Sequence, residues 1–202
     1  MVDANGCELN GELLSIEAAR TIFIDLGVQR EIALGDSIEL QPNTNVPEAE
    51  IAEIIWSPAI GLSCTDCPQP IAKPLRSESY QVEILDQNGC SATASISFLV
   101  DAEPQVFVPT AFSPNNADGI NDKFTVFAKS SSVQQIKTLQ IFNRWGDMVF
   151  KRDEFDPNDE SLGWNGRFNN EELSPQVFIY FAELLMLDGR EVVIKGDISL
   201  ME

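Results

Sequence analysis

The chain of 202 residues contains no histidine. That absence removes the commonest general base, the Ser-His and Cys-His nucleophile pairs, and the imidazole ligands that most zinc and copper sites need. Cations are scarce as well: 13 Lys and Arg stand against 32 Asp and Glu, a formal charge of −19. The shortage is uneven. Residues 1–103 carry 4 basic and 17 acidic side chains (net −13), residues 104–202 carry 9 and 15 (net −6). Such a field repels nucleic acid and anionic membrane surfaces, because phosphate contacts need clustered Lys and Arg. It favours solubility and can gather divalent cations. No apolar run approaches the roughly 20 residues a membrane-spanning helix requires, so membrane insertion is not expected.

What remains is a strand-and-turn sequence with 44% hydrophobic residues, ordinary for a globular protein. Ser37–Leu40, Ile51–Trp56, Tyr80–Leu85 and Ala94–Val100 are short runs rich in β-branched or aromatic residues. Gly, Pro, Asn and Asp separate them. The texture returns at Val106–Val108, Phe124–Phe127, Leu139–Phe142, Met148–Phe150, Val177–Leu187 and Val192–Leu200. Short strands at regular spacing predict an all-β protein of two tandem Ig-like β-sandwich domains. Leu9–Ala19 is the one stretch with a weak helical pattern. The polar Asp101-Ala102-Glu103-Pro104 is the expected boundary. Asp3-Ala4-Asn5-Gly6-Cys7 recurs as Asp86-Gln87-Asn88-Gly89-Cys90 around the hairpin signal Asn-Gly. The recurrence suggests tandem repeats. Residues 1–19 are then a remnant of a preceding repeat or a linker, 20–103 one sandwich and 104–202 another.

Five ordered motifs occupy the second half: Pro114-Asn115-Asn116-Ala117-Asp118-Gly119-Ile120-Asn121-Asp122, Phe142-Asn143-Arg144-Trp145-Gly146, Trp164-Asn165-Gly166, Gln176-Val177-Phe178-Ile179-Tyr180 and Gly196-Asp197-Ile198-Ser199-Leu200. In this order they resemble the gliding motility-associated C-terminal domain, the type B sorting domain of type IX secretion. Ala117 lengthens the acidic loop by one residue, Gln176 replaces a glycine, and the chain ends Met201-Glu202 where relatives often end in Lys or Arg. The resemblance implies a non-catalytic secretion signal, with type IX translocon components as partners and an extracellular or outer-membrane-surface location. The start of the chain has neither the basic nor the apolar region of a secretory signal, so residue 1 is expected to lie inside a longer parent. Trp56-Ser57-Pro58 through Cys64-Thr65-Asp66-Cys67, with Tyr80-Gln81-Val82, resembles PKD-like or Ig-like repeats of surface proteins. That implies a spacer or adhesive role for residues 20–103.

Four cysteines with one Cys-x-x-Cys pair admit three readings. A thioredoxin-type site needs the pair at a helix start, and Pro68 follows in a loop. A zinc knuckle needs a second such pair. A structural disulfide, Cys64–Cys67, suits an oxidising exterior and is the favoured reading. Cys90 either pairs with Cys7 or is free.

Four oxygen-bearing side chains, Asn115, Asp118, Asn121 and Asp122, surround Gly119, whose tolerance of positive φ permits a sharp turn. They resemble part of a calcium cage; the alternative is a set of Asx-turns bonding the loop's own backbone. Arg144 and Trp145 suggest a cation–π recognition feature, set against a Trp145 that fills the core beside an Arg144 paired with a carboxylate. For Trp145 and Trp164 the core reading is preferred, as it is for Trp56. Val177–Phe181, hydrophobic throughout, is expected to be a central strand covered on both faces. A calcium-dependent carbohydrate-binding or adhesion module is the alternative function; it needs Trp56, Trp145 or Trp164 exposed toward a glycan or surface ligand. No catalytic residues are expected. Asp153, Glu154, Asp156, Asp159 and Glu160 are the carboxylates a glycoside hydrolase would need, but they fall in a turn region.

Overall fold

A computed structural model describes residues 21–115, 119–129 and 132–201. Within these the chain is built of strands, with two short 3-10 turns at Glu48–Glu50 and Glu160–Leu162. The first sandwich contains β1 (Ile24–Asp25), β2 (Arg30–Ala33), β3 (Ile38–Glu39), β4 (Asn43–Thr44), β5 (Ile51–Ser57), β6 (Ile71–Ala72), β7 (Glu78–Asp86) and β8 (Ser91–Asp101). The second contains β9 (Val106–Phe107), β10 (Ala111–Phe112), β11 (Phe127–Ala128), β12 (Val133–Phe142) and β13 (Met148–Phe155). It is completed by β14 (Arg167–Phe168), β15 (Glu171–Glu172), β16 (Gln176–Met186) and β17 (Glu191–Leu200). The weak helical stretch Leu9–Ala19, the first copy of the repeated turn, and Cys7 lie outside the described residues.

In the first sandwich a four-stranded sheet, ordered β2-β8-β7-β5, packs beside the pairs β1-β4 and β3-β6. Strand β7 alternates as a half-buried strand should, with Tyr80, Val82 and Ile84 inward and Gln81 and Glu83 outward. These side chains close a core with Trp56, Leu40, Ile96 and Phe98. Trp56 is only 2% exposed, and its indole Nε1 donates to the Cys67 carbonyl at 3.0 Å. That bond ties the core to the loop that the Cys64–Cys67 disulfide closes. Cys90 is a free thiol. It follows a turn organised by the buried carboxylate of Asp86, whose Oδ1 accepts from the Asn88 and Cys90 amides at 2.9 and 2.8 Å.

The second sandwich is dominated by a five-stranded sheet ordered β10-β17-β16-β12-β13. Its short edge β10 runs parallel to β17, and the other pairs are antiparallel. Phe178, Ala182, Leu184 and Met186 of β16 point inward with Ile198 and Leu200 of β17 and Ile136, Leu139 and Ile141 of β12. Phe112 of the edge strand β10 joins them from the same sheet, and Phe124 and Trp164, outside that sheet, pack onto them. Strand β16 is central, yet it departs from the expectation of two covered faces. Val177 and Ile179 are 53% and 55% exposed. The hydrophobic run therefore supplies an exposed apolar stripe on the outer face, beside Ser199, Asp197 and Lys195 of β17.

The two sandwiches meet directly. Leu34, which follows β2, is 1% exposed and belongs to the core of the second sandwich. Its amide donates to the Asp101 carbonyl at 2.8 Å. Lys129 pairs with Asp36 at 2.7 Å, and Arg190 donates to the Ala102 carbonyl at 2.6 Å.

Candidate functional site

The turn between β12 and β13 is organised by Asn143. Its side-chain Oδ1 accepts from the Trp145 and Asp147 amides, both at 2.9 Å, and its Nδ2 donates to Asp147 Oδ2 at 3.0 Å. Backbone bonds from Asn143 to the Asp147 carbonyl (2.9 Å) and from Gly146 to the Asn143 carbonyl (3.0 Å) close the loop. Held this way, the two residues between have nowhere to fold back. Trp145 is 70% exposed, and the Arg144 guanidinium carbon lies 4.5 Å from its ring centroid. The preferred reading of Trp145 as core is therefore wrong. The Asn143-held turn leaves the ring at the surface, stacked by Arg144. Among the described residues no carboxylate pairs with Arg144, and the nearby Asp147 is already engaged by Asn143.

The two other tryptophans cannot serve as ligand platforms. Trp56 is core, as described. Trp164 is fully buried, with its indole Nε1 donating to the Arg167 carbonyl at 2.9 Å. It packs against Phe112 and Phe178 at ring-centroid distances of 5.2 and 4.8 Å, and exchanges backbone bonds with Phe124 at 2.8 and 2.9 Å. The Trp-Asn-Gly motif is thus a packing device.

In the acidic loop Asn115 and Asn121 are exposed, and Asn121 adopts a φ of 55°. The Asp122 carboxylate accepts from the Gly119 amide through Oδ2 at 3.1 Å, while its Oδ1 is buried with no hydrogen-bond partner. Asp118 lies outside the described residues, so the four-ligand set cannot be measured as a unit. Among the described residues no group of three or more Cys, Asp or Glu side chains is arranged to hold a metal ion.

Two of the carboxylates named for glycoside chemistry, Asp153 and Asp159, are engaged structurally. Asp153 pairs with Lys151 at 2.8 Å, and this bond lowers its pKa. Asp159 caps the short turn Glu160–Leu162 through the Ser161 hydroxyl and amide, which lower its pKa too. A general acid needs a raised value. Neither has one.

Residues 106–200 match the family model of the CHU_C type IX secretion signal domain. Those residues belong to that family. In the signal domain the final motif has a plain steric reason: a Cβ on Gly196 would sit 2.8 Å from the Tyr180 ring, which lies across β17 at that point. No curated protein matches the chain. Among solved structures, the PKD domain from the KIAA 1837 protein is 16% identical, covering 42% of this chain and 91% of its own, with a TM-score of 0.34. SGBP-B of the Bacteroides ovatus mixed-linkage glucan utilization locus is 9% identical over 91% of this chain and 48% of its own (TM-score 0.33). Dimeric latent PorU from Porphyromonas gingivalis is 10% identical over 90% of this chain and 20% of its own (TM-score 0.32). At these scores none of the three assigns a ligand or an activity. A type IX secretion signal marks a secreted or cell-surface protein. No helix among the described residues is long and apolar enough to cross a membrane.

Sequence reasoning missed the outer face of β16. A solvated face and a doubly covered strand both read as continuous hydrophobicity, and no signal in the chain separates them.

Proposed function

We propose that residues 104–202 act as a non-catalytic export signal, read at the surface by type IX translocon components, and that residues 20–103 form a spacer or adhesive repeat ahead of it. The single observation that carries this reading is the rigid Arg144–Trp145 turn. It presents, on an exposed indole, a guanidinium that no carboxylate among the described residues pairs with, the kind of anchor that dominates protein recognition. Of the carboxylates named above, Asp153 is tied into a salt bridge and Asp159 into a cap.

The test places the whole 202-residue chain behind a periplasmic reporter in a type IX-competent host. The reporter should reach the exterior, and should stay periplasmic in an isogenic host lacking the translocon. Periplasmic retention of folded fusion in the competent host would overturn the proposal.

A second reading, calcium-dependent adhesion, is supported by the buried, unpartnered Oδ1 of Asp122. Ca²⁺ takes six to eight oxygen ligands, and Asn115, Asp118, Asn121 and Asp122 would supply part of such a set. Millimolar calcium should then raise the melting temperature, and Asp118→Ala should remove the increment. No shift in the wild-type chain retires this reading.

A further inference from the structure

The face of the five-stranded sheet turned away from the core carries an apolar stripe across β16, β12 and β13, bordered on β17 by Ser199, Asp197 and Lys195. Ile179 of β16 stands opposite Phe142 of β12, which stands opposite Met148 of β13. Val177 and Phe181 flank Ile179 at the next positions on the same side of β16. Cross-strand neighbours on one face lie about 5 Å apart, so these side chains form one surface. An antiparallel sheet that meets water on one face ordinarily shows polar residues there. Here Val177 and Ile179 are more than half exposed and Met148 is 44% exposed. The turn that projects Arg144 and Trp145 joins Phe142 to Met148, so the exposed indole stands at the end of this same row. A contiguous exposed apolar surface of this kind marks an interaction site.

Charge narrows the occupant. A second copy would bring another −19 against this one, and an anionic lipid surface is repelled in the same way. Arg144, at the rim, has no carboxylate partner among the described residues, whereas Lys151 nearby is paired with Asp153. The rim therefore offers a cation stacked on an aromatic ring, with no carboxylate partner among the described residues, in a molecule otherwise rich in acid.

We propose that this outer face docks the signal domain on a protein partner that is apolar at the centre of its contact and sets a carboxylate against Arg144. The proposal rests on the sorting reading above and specifies the surface that reading leaves open. Val177 and Ile179 supply the apolar centre, Trp145 the anchor and Arg144 the polar specificity. The interface needs no rearrangement of the sandwich, because every one of these side chains is already at the surface.

The experiment uses the full chain behind the periplasmic reporter. The double variant Val177→Thr/Ile179→Thr keeps β-branched residues in the strand, and Trp145→Ala alters only the turn; both should melt within a few degrees of wild type. Each should lower the exported fraction at least about tenfold, in line with the loss of an interface anchor. Arg144→Glu should do the same, with Arg144→Lys exporting at an intermediate level. If the wild-type fusion is not exported, the sorting reading fails and the proposal with it. Wild-type export accompanied by wild-type export of the Val177/Ile179 and Trp145 variants overturns the docking face alone. Unchanged export of Arg144→Glu overturns the carboxylate partner. A wild-type dimer in sedimentation at micromolar concentration, lost in the Val177/Ile179 variant, shows that a second copy covers the face and overturns it too. So does Trp145-dependent binding to phosphatidylglycerol vesicles.

Discussion

Asn143 shows how one short side chain fixes a recognition element. It accepts two amides and donates to a carboxylate, so replacing it leaves several backbone groups of the turn without their partner. Asn143→Ala should cost about 1–3 kcal/mol, the range for a lost hydrogen-bonding group. Urea denaturation measures that cost, and iodide quenching should show a less ordered environment for Trp145. Gly196 makes the converse case. Gly196→Ala sets a methyl 2.8 Å from the Tyr180 ring, and the overpacking should destabilise by about 1–3 kcal/mol. Tyr80 and Tyr180 have pKa values raised first by burial and then by Glu78 and Asp197 respectively. A raised folded value means that their contribution to stability is intact below the ordinary tyrosine value near 10 and is lost as pH climbs through the folded one. Phenolate absorbance should therefore appear in the folded protein at higher pH than in the unfolded chain, and denaturation midpoints should fall in that alkaline window.

At the level of elements, four long strands were legible nearly whole, and the short β3 and β9 fall within the expected Ser37–Leu40 and Val106–Val108. The runs at Tyr80–Leu85, Ala94–Val100, Val177–Leu187 and Val192–Leu200 fall inside β7, β8 and β17 or overlap β16 nearly end to end. Strands β12 and β13 extend well past the expected Leu139–Phe142 and Met148–Phe150. Their added residues mix polar ones such as Gln134-Gln135 and Lys151-Arg152-Asp153 with the buried Val133, Ile136 and Phe155, so no continuous apolar run marks them. The parallel pairings of β10 with β17 and β2 with β8 join segments far apart in the chain and leave no local trace. The loop closed by Cys64–Cys67 contains very few residues, so its loss should cost only about 2 kcal/mol by the loop-entropy relation. Cys64→Ser/Cys67→Ser should accordingly fold, with its denaturation midpoint lowered by that amount, while the Trp56–Cys67 bond survives.

Across the whole molecule the decisive feature is Leu34. It comes from the first sandwich and is buried in the core of the second, beside partly buried Val100. Leu34→Ala should therefore destabilise the signal domain by about 2–5 kcal/mol, the usual cost of a buried leucine truncation. Residues 104–202 alone should unfold at lower denaturant than the same residues within the full chain.

The sequence by itself determined the all-strand class, the family motifs and the structural duties of Trp56 and Trp164, because alternation and turn chemistry are local and repeat along the chain. It left Trp145 and Trp164 looking alike, since both sit in Trp-containing turns beside strands. Only the tertiary structure separated them: Trp164 is packed against Phe112 and Phe178, whereas Trp145 is left exposed. The tertiary structure likewise turned part of the hydrophobic run of β16 from buried strand into exposed surface. Which face of a strand meets another layer depends on distant segments, and no window of neighbouring residues contains that information.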